Sequence, residues 1–198
     1  LRQERLSEML GLRARQLSIV DALISLLAPF GPSDRLAQAY LRQGDAYTLL
    51  KRFEAADRAL ETALRISRER TDSQGERNAL RSIALLRSFE GRHDDALEKI
   101  ELVLSLGRAA GDTRAQAGDL ATMGNILRAL GQWERALTVL EAALERTEVS
   151  DHPARYGALL NVMGTIHREL GNLDTALDFF RRTEAYLTVT VYASFTLT

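Results

Sequence analysis

The side chains of this 198-residue chain that are best equipped for chemistry are few and poorly grouped. Histidine occurs at 93, 152 and 167. His93 and His152 have no partner at the spacing metal ligands need. Cysteine is absent, which removes disulfides, thiolate zinc sites and a cysteine nucleophile. The sequence has no H-E-x-x-H, no phosphate-binding loop and no dinucleotide glycine fingerprint. Spacing suggests no Ser/His/Asp set. The adjacent carboxylates Asp94 and Asp95 read as a helix start, where negative charge is favoured by the helix dipole. These observations argue against an enzyme and against a bound metal or cofactor. They leave recognition as the chemistry to look for.

Charge narrows the kind of partner. Lys and Arg total 26 against 27 Asp and Glu, a formal net charge of −1. So balanced a chain has no general pull toward nucleic acid or an anionic membrane, and neither is expected as a partner. The longest apolar stretch, near Leu17 to Phe30, is interrupted by Ser18, Asp21 and Ser25. It falls short of the roughly 20 apolar residues a membrane helix needs. The first residues, Leu1-Arg2-Gln3-Glu4-Arg5, are unlike a secretory signal, and the chain reads as a piece of a longer protein. The lack of cysteine fits a reducing cytoplasm. Apolar residues at 45% suffice for a buried core, and the three prolines, at 29, 32 and 153, suggest long helices with few breaks.

Four windows align at a spacing of 40 residues. A small residue recurs at Gly44, Ala84, Gly124 and Gly164. Seven residues later comes a turn position, at Lys51, Gly91, Gly131 and Gly171. Five further on stands an alanine, at Ala56, Ala96, Ala136 and Ala176. Glycine costs about 1 kcal/mol inside a helix relative to alanine, so its return implies close helix packing. The turn glycines suit the left-handed residue that ends a helix. Helical periodicity places Leu120, Met123, Leu127 and Leu130 on one face, and Trp133, Leu137, Leu140 and Leu144 on the matching one. Leu160, Met163, Ile166 and Leu170, then Leu173, Leu177 and Phe180, repeat the pattern. The phase extends back to Gly11 and Leu23, so residues 1–33 read as a degenerate first repeat. Its exit loop runs from Ala28 to Ser33, and Ser33 or Asp34 caps the next helix. Further loops are expected over Arg70–Gly75, Ala110–Thr113 and Val149–Pro153.

Gly124-x2-Leu127 with Gly131-x-Trp133-x2-Ala136, and Gly44-x2-Tyr47 with Phe53-x2-Ala56, resemble the tetratricopeptide repeat. The resemblance covers residues 34 to 187. The second repeat departs most, with Ala84, Arg87 and His93 at the signature positions. The unit exceeds the usual length of about 34 residues and is similar to the extended type of kinesin light chains and bacterial signalling and regulator proteins. The resemblance implies an all-α fold, a right-handed α-solenoid of about five antiparallel helix hairpins. Residues 1–187 form the solenoid, with repeats at 34–73, 74–113, 114–153 and 154–187, and residues 188–198 are an atypical tail. His167 falls where the repeat takes a core aromatic, and Trp133 reads as another.

In the family, first helices line a concave groove that binds a peptide or helix. Helical spacing then selects Leu41, Asp45 and Thr48; Arg81, Leu85 and Ser88; Ala121, Asn125 and Arg128; and Asn161, Thr165 and Arg168, with Gln38 and Arg42 beside them. Asn125 and Asn161 would pin a peptide backbone. Arg81, Arg128 and Arg168 would take carboxylates of an acidic or C-terminal peptide. The expected function is a cytoplasmic protein-interaction scaffold within a larger regulatory protein. The competing expectation is a structural solenoid that self-associates into a homo-oligomer. The segment from Tyr186 to Thr198 is uncharged, β-branched and alternating, which favours a strand over a helix. Such a strand would pair with another chain; the alternative is a truncated or disordered end.

Overall fold

The computed structural model describes residues 2–109, 111, 113–147 and 153–195. All regular structure among them is helical: α1 (Arg2–Leu27), α2 (Asp34–Leu49), α3 (Phe53–Glu69), α4 (Ser73–Phe89), α5 (His93–Ala109), α6 (Thr113–Ala129), α7 (Trp133–Glu145), α8 (Pro153–Glu169) and α9 (Leu173–Phe195), with a short 3-10 turn at Ala28–Phe30. The chain divides into two compact halves, residues 1–99 and 100–198.

In the N-terminal half α1 packs on α2, α2 on α3, α3 on α4, and α2 also on α4. In the C-terminal half α6 packs on α7, α7 on α8, α8 on α9, and α6 on α8. Each first helix therefore meets its hairpin partner and the next first helix. The α2–α3 hairpin is antiparallel. Gly44, late in α2, faces Leu60, midway along α3, while Leu36 and Ala37, early in α2, cluster with Ile66, late in α3.

The recurrent glycines explain the hairpins. A methyl on Gly44 would come within 2.5 Å of Leu60 Cγ, and one on Gly124 within 2.6 Å of Leu140 Cγ. At Gly164 the obstacle is Phe180, 2.8 Å away. The alanines five residues past each turn, Ala56, Ala96, Ala136 and Ala176, are all buried. The turns are equally regular. Lys51 N–H donates to Thr48 O and Arg52 N–H to Tyr47 O; Gly131 N–H donates to Arg128 O and Gln132 N–H to Leu127 O. The same pair recurs after α4 and α8. These 5→2 and 6→1 bonds satisfy the carbonyls left over at a helix end, with one residue in the left-handed region. That residue is glycine at 91, 131 and 171, but lysine at 51, with φ 57°. Thr71, φ 54°, holds the position that Gly111 holds one repeat later.

Several sequence expectations need correction. Gly11 marks no turn: backbone helix runs unbroken through it, so the first repeat contributes one helix, α1, and not a hairpin. The strand expectation for the C-terminal segment also fails, because α9 is helical through Phe195. A helix already nucleated extends at little cost per residue, which overrides weak β-propensity; Thr196 to Thr198 lie outside the described residues. Leu173 and Leu177, placed on the apolar face of α9, are exposed. The loop at 70–75 is shorter than expected: Asp72 accepts from Gly75 N–H at 2.9 Å and starts α4 at Ser73. Ser33 does cap α2, accepting from Leu36 N–H at 3.3 Å. Of the other expected loops, Ala110, Asp112 and residues 149–152 lie outside the described residues.

Arg87, in place of an aromatic, is half-buried. It is held by ion pairs to Asp57 on α3 and to Glu90, the latter at 3.1 Å. Burial alone would lower its pKa, but the hydrogen bonds it donates to Glu90 and Asp57, and their negative charge, outweigh this and raise it above the ordinary arginine value. His167 fills its aromatic position by stacking on Phe179, ring centroids 5.3 Å apart.

Two stability predictions follow from the turns and the close approach. Lys51→Gly and Thr71→Gly should each stabilise the fold by about 1 kcal/mol, by relieving a left-handed L-residue. Gly124→Val should destabilise it by about 1–3 kcal/mol through overpacking against Leu140. Urea midpoints for the three variants measure both effects, and opposite signs would refute the packing account.

Candidate recognition surface

The first helices of the N-terminal half bring polar side chains together along α2 and α4. A cavity of about 290 Å³ lies there, lined by Asp34, Gln38 and Leu41 of α2, Asp72 before α4, and Gln74 and Asn78 of α4, with Ala37 and Ala63 in its apolar part. Asn78 Oδ1 accepts from Gln74 Nε2 at 3.2 Å and from Arg81 NH2 at 2.7 Å. Asp34 accepts from Arg70 Nε at 3.1 Å. The cavity thus holds carboxamides already oriented by neighbours, and two carboxylates.

The selected residues do not form one patch. Gln38 lines this cavity, whereas Arg42 and Asp45 line a separate cleft toward α1. Asp45 is open to solvent but crowded by protein on several sides, as befits a residue in a recess. That crowding desolvates its carboxylate and raises its pKa above 3.8; a hydrogen bond from Ser82 and the charge of Arg81 act the other way and do not cancel it. Arg81 is half-buried and engaged by Asn78. Ser88 lies at the far end of α4, its Oγ 3.4 Å from His93 Nδ1. Thr48 is buried, its hydroxyl donating to Gly44 O at 2.9 Å, so it leaves the surface set.

In the C-terminal half the selected side chains turn inward on their own helices. Asn125 Nδ2 donates to Ala121 O at 3.2 Å, and Thr165 Oγ1 to Asn161 O at 2.9 Å. Serine, threonine and asparagine often bond the preceding turn in this way. Arg128 pairs with Glu169 at 3.0 Å, tying α6 to the end of α8. Asn161 and Arg168 are exposed. Two of the three arginines expected to take carboxylates are therefore already partnered within the protein. Sequence reasoning missed Gln74 and Asn78. The Asp72 cap was the available signal, because it starts the helix early enough to put both on one face, four residues apart. Among the described residues no helix is long and apolar enough to cross a membrane, and no group of three His, Asp or Glu is placed to hold a metal.

The family model described as tetratricopeptide repeat matches residues 35–109 and 116–188. A search of curated proteins finds no match. Solved structures do match. BtubC (BKLC) from P. vanneervenii is 23% identical with a TM-score of 0.73, over 88% of this chain and 73% of that one. Kinesin light chain-type, nearly identical TPR-like repeats from Podosopora anserina are 16% identical with a TM-score of 0.64, over 96% and 93%. A signal-transduction ATPase (STAND) protein with a tetratricopeptide repeat sensor, from Pyrococcus horikoshii, is 18% identical with a TM-score of 0.71, over 91% of this chain and 29% of that one. At these identities the likeness shows the fold alone.

The raised pKa of Asp45 has a definite sign. Between 3.8 and its folded value the native state holds the proton more tightly than the unfolded state. Ionisation of Asp45 therefore costs stability at neutral pH, and the cost disappears as pH falls below 3.8. An NMR titration of the Asp45 carboxyl carbon should give a midpoint above 3.8. A midpoint below it would mean that the Ser82 hydrogen bond and the charge of Arg81 together outweigh desolvation.

Proposed function

The chain belongs to the tetratricopeptide repeat family, and we propose that it is a protein-interaction scaffold that holds an extended peptide against the face formed by α2 and α4. The cavity between α2 and α4 carries this reading. Gln38 and Gln74 can each donate and accept, and Asn78, whose Oδ1 already accepts two bonds, can donate, as a peptide backbone requires. Ala37, Leu41 and Ala63 offer an apolar surface for one side chain. Asp34 and Asp72 favour a peptide that is neutral or basic at this point. The acidic-peptide expectation is weaker here, because Arg81 and Arg128 are already engaged. Arg168 and Asn161, exposed on α8, extend the reading to the C-terminal half. The STAND protein's repeats are described as a sensor, which supports a sensing or scaffolding role within a larger regulatory protein. A family whose repeats serve recognition supports the absence of catalysis.

Random-peptide display on the intact chain tests the proposal. Selected peptides should lose affinity roughly tenfold or more when Gln38→Ala and Asn78→Ala are combined, since each lost hydrogen bond contributes about 0.5–1.5 kcal/mol. Arg128→Glu with Arg168→Glu tests the C-terminal half in the same assay. Peptides indifferent to both pairs would sink the proposal.

A further inference from the structure

The two helices that line the polar cavity continue past it. Three turns of α-helix take almost eleven residues, so residues eleven apart lie on one stripe. Eleven residues beyond Asn78 on α4 comes Phe89, and eleven beyond Gln38 on α2 comes Leu49. On each helix the stripe that enters the cavity therefore ends in a large apolar residue. Leu85, seven residues after Asn78, falls on the same stripe and is half-buried.

Phe89 is 54% exposed and Leu49 51%. They hold equivalent positions, 40 residues apart, on first helices that pack against each other. Leu49 also borders the cleft toward α1. Phe89 stands deeper in the array: α4 has both helices of the preceding repeat, α2 and α3, packed on it, and the ring stays open with them in place. Between the two ends the stripes meet, where Ser82 of α4 donates a hydrogen bond to Asp45 of α2 and Arg81 adds its charge. The face is thus continuous, with oriented carboxamides at one end and an aromatic ring at the other.

An exposed apolar side chain alone carries no meaning; this one lies at a fixed distance along a face built for recognition. A rise of about 1.5 Å per residue puts Phe89 about 16.5 Å along α4 from Asn78. An extended chain covers about 3.3 Å per residue, so about five residues of peptide span that distance. Given the cavity as a peptide site, on which this rests, we propose that Phe89 and Leu85 are a second anchor for the same extended peptide, taking a large apolar side chain about five residues from the one seated in the cavity. The ligand class is then defined at two points. The cavity residue is neutral or basic, because Asp34 and Asp72 line its seat. The second residue is aromatic or a large aliphatic, matched to the ring of Phe89 and the side chain of Leu85. A helical partner is the poorer occupant. Its backbone groups are already bonded to one another, so the carboxamides of Gln38, Gln74 and Asn78 would find no backbone to hold.

Peptides selected by display on the intact chain are the probe, and fluorescence anisotropy gives their affinities. Phe89→Ala should weaken binding about tenfold and Phe89→Leu about threefold or less, because the lost contact is apolar burial. Alanine scanning of the peptide against each variant locates the partners. The residue coupled to Phe89 should lie about five positions from the one coupled to Asn78. Phe89 is half exposed, so its variants should keep the fold; if the urea midpoint of Phe89→Ala falls, Phe89→Gln is the second variant. Peptides that need Gln38 and Asn78 but ignore Phe89→Ala overturn the second anchor and leave the cavity site standing. A separation near eleven positions overturns it in favour of a bound helix. Peptides indifferent to Gln38→Ala with Asn78→Ala remove the cavity site, and the second anchor with it.

Discussion

In three of the repeats a glycine backbone lies close under a side chain of the hairpin partner: Gly44 under Leu60, Gly124 under Leu140, Gly164 under Phe180. A side chain on the first helix would push its partner outward, and everything downstream depends on that distance. Glycine in a helix costs about 1 kcal/mol. Sealing a leucine from water returns roughly 1.5–3 kcal/mol, so the exchange favours glycine where the partner is large. The second repeat has alanine at this position, and Ala84 is fully buried.

Close hairpins have a consequence for the surface. When each first helix spends its apolar face on its partner and on the next first helix, its remaining face must be polar. That face then competes with itself for hydrogen bonds. In the C-terminal half, Asn125 and Thr165 bond their own helices and Arg128 bonds Glu169. In the N-terminal half, the Asp72 cap draws α4 back toward α2, and the carboxamides of Gln74 and Asn78 meet Gln38 around a cavity. Preorganised amides suit a peptide backbone better than arginines already paired within the protein suit a carboxylate, because no existing pair must be broken on binding.

The features legible in the sequence were those repeated every 40 residues. Small residues, turn glycines and buried alanines recur because the same steric problem recurs, and a single chain shows the recurrence. What failed depended on context that occurs once. Nothing near Gly11 says whether a glycine ends a helix or sits within one, since the answer depends on whether a partner helix is there to fold onto. The alternating segment after Tyr186 reads as a strand only while the helix before it is ignored. Thr48 fits the surface stripe by spacing, yet its hydroxyl is satisfied by Gly44 O, and so it can be buried. Asp72 followed three residues later by Gly75 was readable as a cap, and it would have moved Gln74 from a loop onto the same helix face as Asn78.

Departures from the repeat therefore fall into two kinds. Some are compensated locally. Arg87 takes an aromatic position and brings Asp57 and Glu90 with it; His167 takes another and stacks on Phe179. Others are not. Ile19, Leu23 and Leu26 replace two alanines and a buried isoleucine, which stand one repeat later at Ala59, Ala63 and Ile66, with large side chains facing water. A surface under selection only for solubility has no reason to enlarge apolar residues where smaller ones serve the same helix. A surface that meets another helix does, because each added methylene removed from water contributes about 0.8 kcal/mol to the encounter. By that reasoning, Ile19, Leu23 and Leu26 suit a packed helix face better than a solvated one.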